Sequence, residues 1–245
     1  MTMQNKKLNI GLIGYGKMGK TIEKLAVDKT HTIGLKCTSS NPLAQNLDIL
    51  QEIDVAIEFT NPEKAASNLK ILADHKIPTV CGSTGWLNEY DSICALFNAA
   101  GTPFLYASNF SVGVNVFFSL NKHLARLMDK LDSYGVQMME SHHLEKKDAP
   151  SGTAVSLAEG ILDEMQRKQG WHLGTDTKAN SIPIEAVREA DVKGLHEIRY
   201  TNDVDQILIR HEAFSRIGFA SGALLAAEWI YGRSGIFSMS DVLEI

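Results

Sequence analysis

The chain is poor in cysteine. Only Cys37, Cys81 and Cys94 occur in 245 residues, with no CxxC or CxxH spacing. This excludes a disulfide scaffold and a zinc cluster built on cysteine, and fits reduced thiols in a cytoplasm. No apolar run reaches the ~18 residues of a membrane span. The start, Met-Thr-Met-Gln-Asn-Lys-Lys, carries no apolar signal region. Basic residues are not in excess. Twenty-four Lys and Arg against 29 Asp and Glu give a formal net charge of −5, whereas a nucleic-acid surface needs a basic field. Internal repeats, low-complexity tracts and runs of like charge are also missing. The remaining description is an ordinary soluble globule, 44% hydrophobic and long enough for one large domain or two small ones. Its expected place is the cytoplasm and its expected partner a small molecule, with neither nucleic acid nor membrane.

Two rhythms run along the sequence. From residue 8 to about 107, short apolar runs alternate with helix-period segments. Leu8–Ile13 reads as a strand, and Met18, Ile22, Leu25 and Ala26 form the stripe of an amphipathic helix. Ile33, Leu35 and Cys37 alternate as a second strand, and Val55–Phe59 is a third. Asn61-Pro62-Glu63 starts a helix, with Asn as N-cap and Pro at the first helical position. Thr79–Cys81, a helix around Leu87–Ala100 and Phe104–Ala107 complete an alternation that implies a parallel sheet covered by helices on both faces. After Asn109 the rhythm changes. Helices are expected over about Val114–Met128 and Thr153–Gln169, with a strand at Tyr134–Glu140 and a loop from Gly174 to Ser181. Ile182–Val187, His196–Thr201 and Gln206–His211 read as strands whose short gaps call for antiparallel pairing. Ile217–Tyr231 reads as a strongly apolar helix, with Phe219 and Trp229 as core residues. The fold class is therefore an α/β half of nucleotide-binding type followed by an α+β half.

Gly14-Tyr15-Gly16-Lys17-Met18-Gly19 is a GxGxxG between the first strand and the first helix. The first glycine permits the turn, the second lets a pyrophosphate reach the backbone, and the third allows close helix–strand packing. The helix N-terminus then offers N–H groups and a positive dipole to the phosphates. The acidic residue usual about twenty positions later is missing. Lys36-Cys37-Thr38-Ser39-Ser40 stands there instead. Lysine and hydroxyls suit a 2′-phosphate, so both NADPH and NADH are expected as cofactors, with NADPH preferred.

The segment Glu140-Ser141-His142-His143-Leu144-Glu145-Lys146-Lys147-Asp148-Ala149-Pro150-Ser151-Gly152-Thr153-Ala154 sets cations and proton donors ahead of a helix start. Such a place holds an anionic, carboxylated ligand, with Ser151, Gly152 and Thr153 offering N–H groups or hydroxyls. Histidine titrates near neutrality and lysine is tunable, so general-acid work is available. A polar surface loop with a helix cap is the plain alternative. His142 and His143 as a metal pair is another, although adjacent strand residues point to opposite faces.

The same segment resembles the signature of the dihydrodipicolinate reductase (4-hydroxy-tetrahydrodipicolinate reductase) family, E-x-H-H-x-x-K-x-D-A-P-S-G-T-A. Similar stretches span nearly the whole chain: Gly14–Gly19, Glu58-Phe59-Thr60-x-Pro62, Gly82-Ser83-Thr84-Gly85, Asn109–Val116, Arg216-x-x-Phe219-Ala220-x-Gly222-Ala223, and Gly235 to Leu243. The resemblance implies a Rossmann-type domain at residues 1–109, completed by residues 216–245. It also implies an α+β domain at residues 110–215 whose open sheet, mixed or antiparallel, builds a homotetramer. The implied activity is NADPH- or NADH-dependent reduction of the cyclic dicarboxylate 4-hydroxy-tetrahydrodipicolinate to tetrahydrodipicolinate, in the diaminopimelate route to lysine. Carried over by residue, His142 and Lys146 are the catalytic pair. His143, Lys146, Ser151, Gly152 and Thr153 bind the substrate carboxylates. Gly82, Ser83 and Thr84, with Ala107, Ser108, Asn109 and Phe110, line the nicotinamide side of the cofactor. Glu58 and Ser83 replace Asp and Thr of the family pattern with the functional group kept. The Thr38–Asp54 region is short, and Leu144 and Glu145 stand where more basic residues are usual.

His123, His172, His196 and His211 read as structural or solvated. Arg188 and Arg216 reach either a carboxylate or an ion pair between subunits. No metal-ligating constellation is read from the sequence. Two other functions stay open: a different two-domain NAD(P)-dependent oxidoreductase acting on a small carboxylated compound, and a non-catalytic nucleotide-sensing regulator. The joint presence of His142, Lys146 and the Ser-Gly-Thr helix start disfavours the regulator.

Overall fold

A computed structural model describes residues 6–215 and 217–245; Arg216, matched above, lies outside them. In chain order the elements are β1 (Asn9–Ile13), α1 (Lys17–Asp28), β2 (Thr32–Cys37), β3 (Val55–Glu58), α2 (Pro62–Asp74), β4 (Thr79–Cys81), α3 (Tyr90–Ala100), β5 (Phe104–Tyr106) and α4 (Val112–Met128). They continue with β6 (Gly135–His142), α5 (Gly152–Glu164), β7 (Gly170–Leu173), β8 (Ser181–Arg188), β9 (Leu195–Thr201), β10 (Gln206–Glu212), α6 (Ile217–Ile230), β11 (Ile236–Phe237) and α7 (Met239–Leu243). The chain packs as two compact units: Met1–Val112 with Ile217–Ile245, and Gly113–Arg216.

The first unit carries a parallel sheet in the order β11-β5-β4-β3-β1-β2. Its strands are buried on both faces, which is why they read as near-continuous apolar runs. Leu8, Ile10, Leu12, Val55, Ile57, Val80 and Leu105 face α1 and α6. Ile13, Leu35, Ala56, Cys81 and Phe104 face the other way, with Leu69 and Leu72 of α2 and Ile93 and Phe97 of α3. α2 starts as its sequence dictates, with Pro62 at the first position and Asn61 Oδ1 accepting from the Lys64 N–H at 3.0 Å. The order reverses between β1 and β3, the kind of switch point beside which open α/β sheets bind ligands.

The second unit has a five-stranded mixed sheet in the order β10-β9-β6-β8-β7. Val136 and Met138 of β6, Ile182 and Ile184 of β8, and Ile198 and Tyr200 of β9 form one face. They pack against Phe117, Ala125 and Met128 of α4 and Ala154, Leu157 and Ile161 of α5. Three expectations need correction here. β8 is not antiparallel to its neighbours but parallel to both β6 and β7. The short β8–β9 gap is bridged with β6 lying between the two strands, so the turn-length argument holds only for β9 and β10. Finally, α5 stops at Glu164 rather than Gln169, and Gly170–Leu173 is an edge strand instead of a helix end. No helix among the described residues is long and apolar enough to cross a membrane.

Candidate active site

In the first unit Ile13, Glu58, Cys81 and Tyr106 lie in register across β1, β3, β4 and β5. The residues expected to touch the cofactor follow directly at these carboxyl ends: Gly14–Gly19 after β1, Gly82–Thr84 after β4, and Ala107–Phe110 after β5. Gly14 has φ +103°, and a side chain there would meet the Phe59 carbonyl oxygen at 2.1 Å, so the turn requires glycine. α2 and α5 are capped by Asn61 and Ser151. α1, by contrast, begins at Gly16 with no side-chain cap and open space within 4 Å of where a Cβ would stand. An uncapped first turn with an open approach fits a pyrophosphate.

Two expected cofactor residues have internal duties. Ser83 is buried, and its Oγ accepts the Thr60 N–H at 2.8 Å. Phe110 is buried in the core with its ring 5.7 Å from Phe59, leaving its backbone as the part able to meet a ligand. Lys36 is placed differently from the expectation of a lysine open to a 2′-phosphate. Its Nζ is 2.5 Å from Glu23 Oε1 and 4.9 Å from the Tyr15 ring centroid, and Tyr15 OH donates to Glu23. The carboxylate missing after β2 is thus supplied beside it from α1.

In the second unit, residues 136, 138, 140 and 142 share the helix-covered face of β6. The apolar pair Val136 and Met138 is followed on that face by Glu140 and His142, and on β9 His196 is the cross-strand partner of Glu140. The core face therefore turns polar at one end of the sheet, where α5 begins. Glu140 is fully buried. Its Oε1 and Oε2 accept the Ser151 N–H at 3.0 and 3.1 Å, and Arg188 Nη2 stands 3.2 Å from Oε1. Arg188 also donates to the carbonyls of Lys146 (3.3 Å) and Asp148 (2.5 Å), so it ties down the loop between His142 and α5. The His142 and His196 rings are 5.1 Å apart, edge to face.

Burial alone would raise the Glu140 carboxyl. The His196 imidazole beside it, hydrogen bonding from Ser151 and the nearby His142 outweigh it and hold the group down to about 2. Burial pushes His142 down to about 4, against the attraction of Glu140, with His196, Lys146 and Arg188 adding to the fall. His142 is therefore neutral at pH 7 in the ligand-free chain, which corrects the expectation of titration near neutrality.

Lys146 Nζ lies 2.8 Å from both oxygens of Asp148. Gly152 and Thr153 open α5, where their N–H groups have no acceptor inside the helix. Ser151, expected to hold a carboxylate, faces inward instead. Its N–H goes to Glu140, while its Oγ accepts the Ala154 N–H at 3.2 Å and is 3.3 Å from His196 Nε2. His143 leaves this cluster and lines an open cleft of about 630 Å³ with Leu144, Asp191, Lys193 and Phe214.

Of the two readings the sequence left for His196, structural or solvated, the structure shows it buried beside Glu140, and Arg188 reaches a carboxylate, that of Glu140. Sequence reasoning passed over a donor set that the fold assembles: Glu140, His142 and His196 bring one ligand atom each within 4.8 Å of one another. His172, bonded to Ser181 Oγ at 2.7 Å, is structural as expected.

Known proteins resemble the chain along its whole length. The family description "Dihydrodipicolinate reductase, N-terminus" matches residues 8–110, and "Dihydrodipicolinate reductase, C-terminus" matches residues 113–243. The chain is 45% identical to the 4-hydroxy-tetrahydrodipicolinate reductase of Christiangramia forsetii over 238 residues, covering 97% of this chain and 98% of that one. It is 36% identical to the enzyme of the same name from Rickettsia bellii over 239 residues, 96% of this chain and 94% of that one. Among solved structures, the dipicolinate-bound dihydrodipicolinate reductase of Paenisporosarcina sp. TG-14 shares the fold with a TM-score of 0.77 at 21% identity, covering 95% of this chain and 98% of that one.

Proposed function

The chain belongs to the dihydrodipicolinate reductase family, and on that premise we propose that it reduces 4-hydroxy-tetrahydrodipicolinate to tetrahydrodipicolinate with a nicotinamide cofactor, in the diaminopimelate route to lysine. The observation that carries this reading is that His142, at the end of β6, and Lys146 both lie on the stretch that leads into the first turn of α5. A dicarboxylate needs several cationic or N–H contacts at once. Lys146, Gly152 and Thr153 supply them, and His143 does so from the neighbouring cleft that it lines, while Ser151 holds the turn in place. The cofactor supplies a hydride when bound, and the first turn of α1 holds its pyrophosphate.

Hydride addition to the unsaturated ring leaves electron density that a proton must quench. Lys146 brings a positive charge and a donor to that point. His142, neutral before binding, gains affinity for a proton once two carboxylates arrive, because a nearby negative charge favours the imidazolium. Glu140 and Arg188 hold the ring and the loop in position.

Both NADPH and NADH serve this site, with NADPH modestly preferred. Lys36 is the group that favours the 2′-phosphate, and Glu23 offsets much of its charge. The working form is a homotetramer, and the working place is the cytoplasm, a setting that suits three unpaired thiols. The decisive experiment follows NADPH oxidation with aspartate semialdehyde, pyruvate and a coupling dihydrodipicolinate synthase. Consumption above background is the expected result, and none overturns the reading. Cofactor binding without any turnover would return the regulator alternative.

A further inference from the structure

Glu140 and His196 are cross-strand partners on β6 and β9, and His142 follows two residues on along the same face. All three side chains are buried. Their spacing is longer than that of hydrogen bonds: Glu140 Oε2 stands 3.5 Å from His142 Nδ1 and 3.7 Å from His196 Nε2. His142 Nδ1 is a buried polar atom with no hydrogen-bond partner, a condition that costs free energy unless something fills it. A tetrahedral zinc ion, with Zn–N and Zn–O near 2.0–2.1 Å, sets neighbouring ligand atoms about 3.3–3.4 Å apart. The two Glu140–histidine separations are close to that value and all three donors lie within 4.8 Å of one another, so side-chain movements would bring them onto one ion.

We propose that Glu140, His142 and His196 form a binding site for a zinc-class divalent cation, with its fourth position open to water or a ligand carboxylate. A carboxylate oxygen and two imidazole nitrogens are donor types that a zinc-class ion accepts. Arg188 sits on Glu140 Oε1, the oxygen away from the histidines. The Ser151 N–H, 3.1 Å from Oε2, shares the oxygen the ion would take, and Ser151 Oγ must release His196 Nε2. The guanidinium and the shared oxygen make the site weaker than a closed four-ligand zinc site. Its consequence rests on the reductase reading: an ion on Nδ1 stops His142 from cycling a proton, so an occupied site is an inhibited one.

The test uses the untagged full chain, stripped with chelator and titrated with cobalt(II) and zinc(II). One cobalt per chain, with the intense visible bands of tetrahedral coordination and displacement by zinc, is expected. Glu140→Gln, His142→Gln and His196→Gln should each weaken binding by about tenfold or more, and His172→Gln should leave it unchanged. Circular dichroism and melting identify variants that fold, and His142→Gln serves if a buried-pair variant does not. The absence of saturable one-per-chain binding, or binding that survives all three folded variants, overturns the proposal. Loss of NADPH oxidation in step with zinc occupancy, reversed by chelator, tests inhibition separately. The binding measurement stands whether or not the chain is a reductase.

Discussion

At the scale of single residues, the local chemistry makes three outcomes measurable. Lys146→Ala removes both a carboxylate anchor and a proton donor, so turnover should fall at least ~100-fold, within the range of general-acid contributions. Cofactor affinity should be unchanged, because Lys146 belongs to the second unit and the glycine turn to the first. Near-normal turnover at saturating substrate would remove the lysine from the chemistry. Two neighbours on β6 contribute to acid stability. The Glu140 carboxyl is held at about 2, so its contribution is fully present above its ordinary value of ~4.3 and is lost as pH falls toward 2, worth about 3 kcal/mol in all. His142 is pushed from 6.5 to about 4. The unfolded chain therefore binds its proton first, and folded stability declines as pH drops from 6.5 to 4. Melting temperatures across that window should fall less steeply in His142→Gln; an unaltered slope would mean that His142 is not held neutral. At the cofactor end, Glu23→Gln frees Lys36 from its 2.5 Å ion pair. A lysine–phosphate contact of ~1 kcal/mol or more gives about a five- to tenfold NADPH preference, so this variant should move toward it. KM values for both cofactors at two ionic strengths decide the matter, since salt screens the contact.

At the scale of elements, much of the first unit could be read from the sequence because parallel strands buried on both faces leave unbroken apolar runs between helices. Asn61-Pro62 and Gly14–Gly19 are local signals with local causes. The second unit was less legible because its relations are made by pairing between distant strands. Nothing near His196 in sequence marks it as a neighbour of Glu140; the β6–β9 register does. Nor does the chain between Thr153 and Gln169 show that the helix stops at Glu164 and that Gly170–Leu173 runs beside β8. His142 and Lys146 were legible from their motif, whereas Arg188 and Glu23 act only through the folded contacts. One prediction belongs to α6. A Cβ at Gly222 would lie 1.7 Å from the Phe110 carbonyl oxygen, a backbone atom that cannot swing aside, while one at Gly218 would meet nothing closer than Ser111 Oγ at 3.6 Å. Gly222→Ala must lift α6 off the sheet it covers and should cost about 3 kcal/mol or more, lowering the melting temperature by roughly 6 °C or more. Gly218→Ala in the same helix should be neutral or stabilising by up to about 1 kcal/mol. Similar melting temperatures for the two variants would contradict the close approach at Phe110.

At the scale of the whole molecule, the second sheet makes the strongest demand for a partner. Its two helices, α4 and α5, pack on the face that carries Val136, Met138, Ile182, Ile184 and Ile198. Side chains alternate across a strand, so Gln137, Met139, Pro183, Glu185, Glu197 and Arg199 lie on the opposite face, where they line a shallow hollow. The edge strand β10 leaves Ile207 and Leu208 exposed and presents Arg210, paired with Glu197 at 3.0 Å and Glu212 at 2.7 Å. A face that mixes apolar groups with charges of both signs is self-complementary under two-fold rotation, the commonest route to a symmetric assembly. Light scattering at micromolar concentration reads this: a two-fold contact through this face alone gives twice the 26.9 kDa of one chain, and the proposed homotetramer, which needs a second two-fold contact, gives four times. Replacing Arg199 with Glu puts a like charge beside Glu197, now 3.6 Å from the guanidinium, on the face proposed to meet its copy. This variant should dissociate the assembly while leaving the α4 and α5 core untouched, so the monomer should still show native circular dichroism. Repulsion across a desolvated face is worth several kcal/mol, far more than the same change at a solvated surface. A wild-type chain that scatters as a monomer, or an Arg199→Glu variant that stays tetrameric, would move the contact to a different surface.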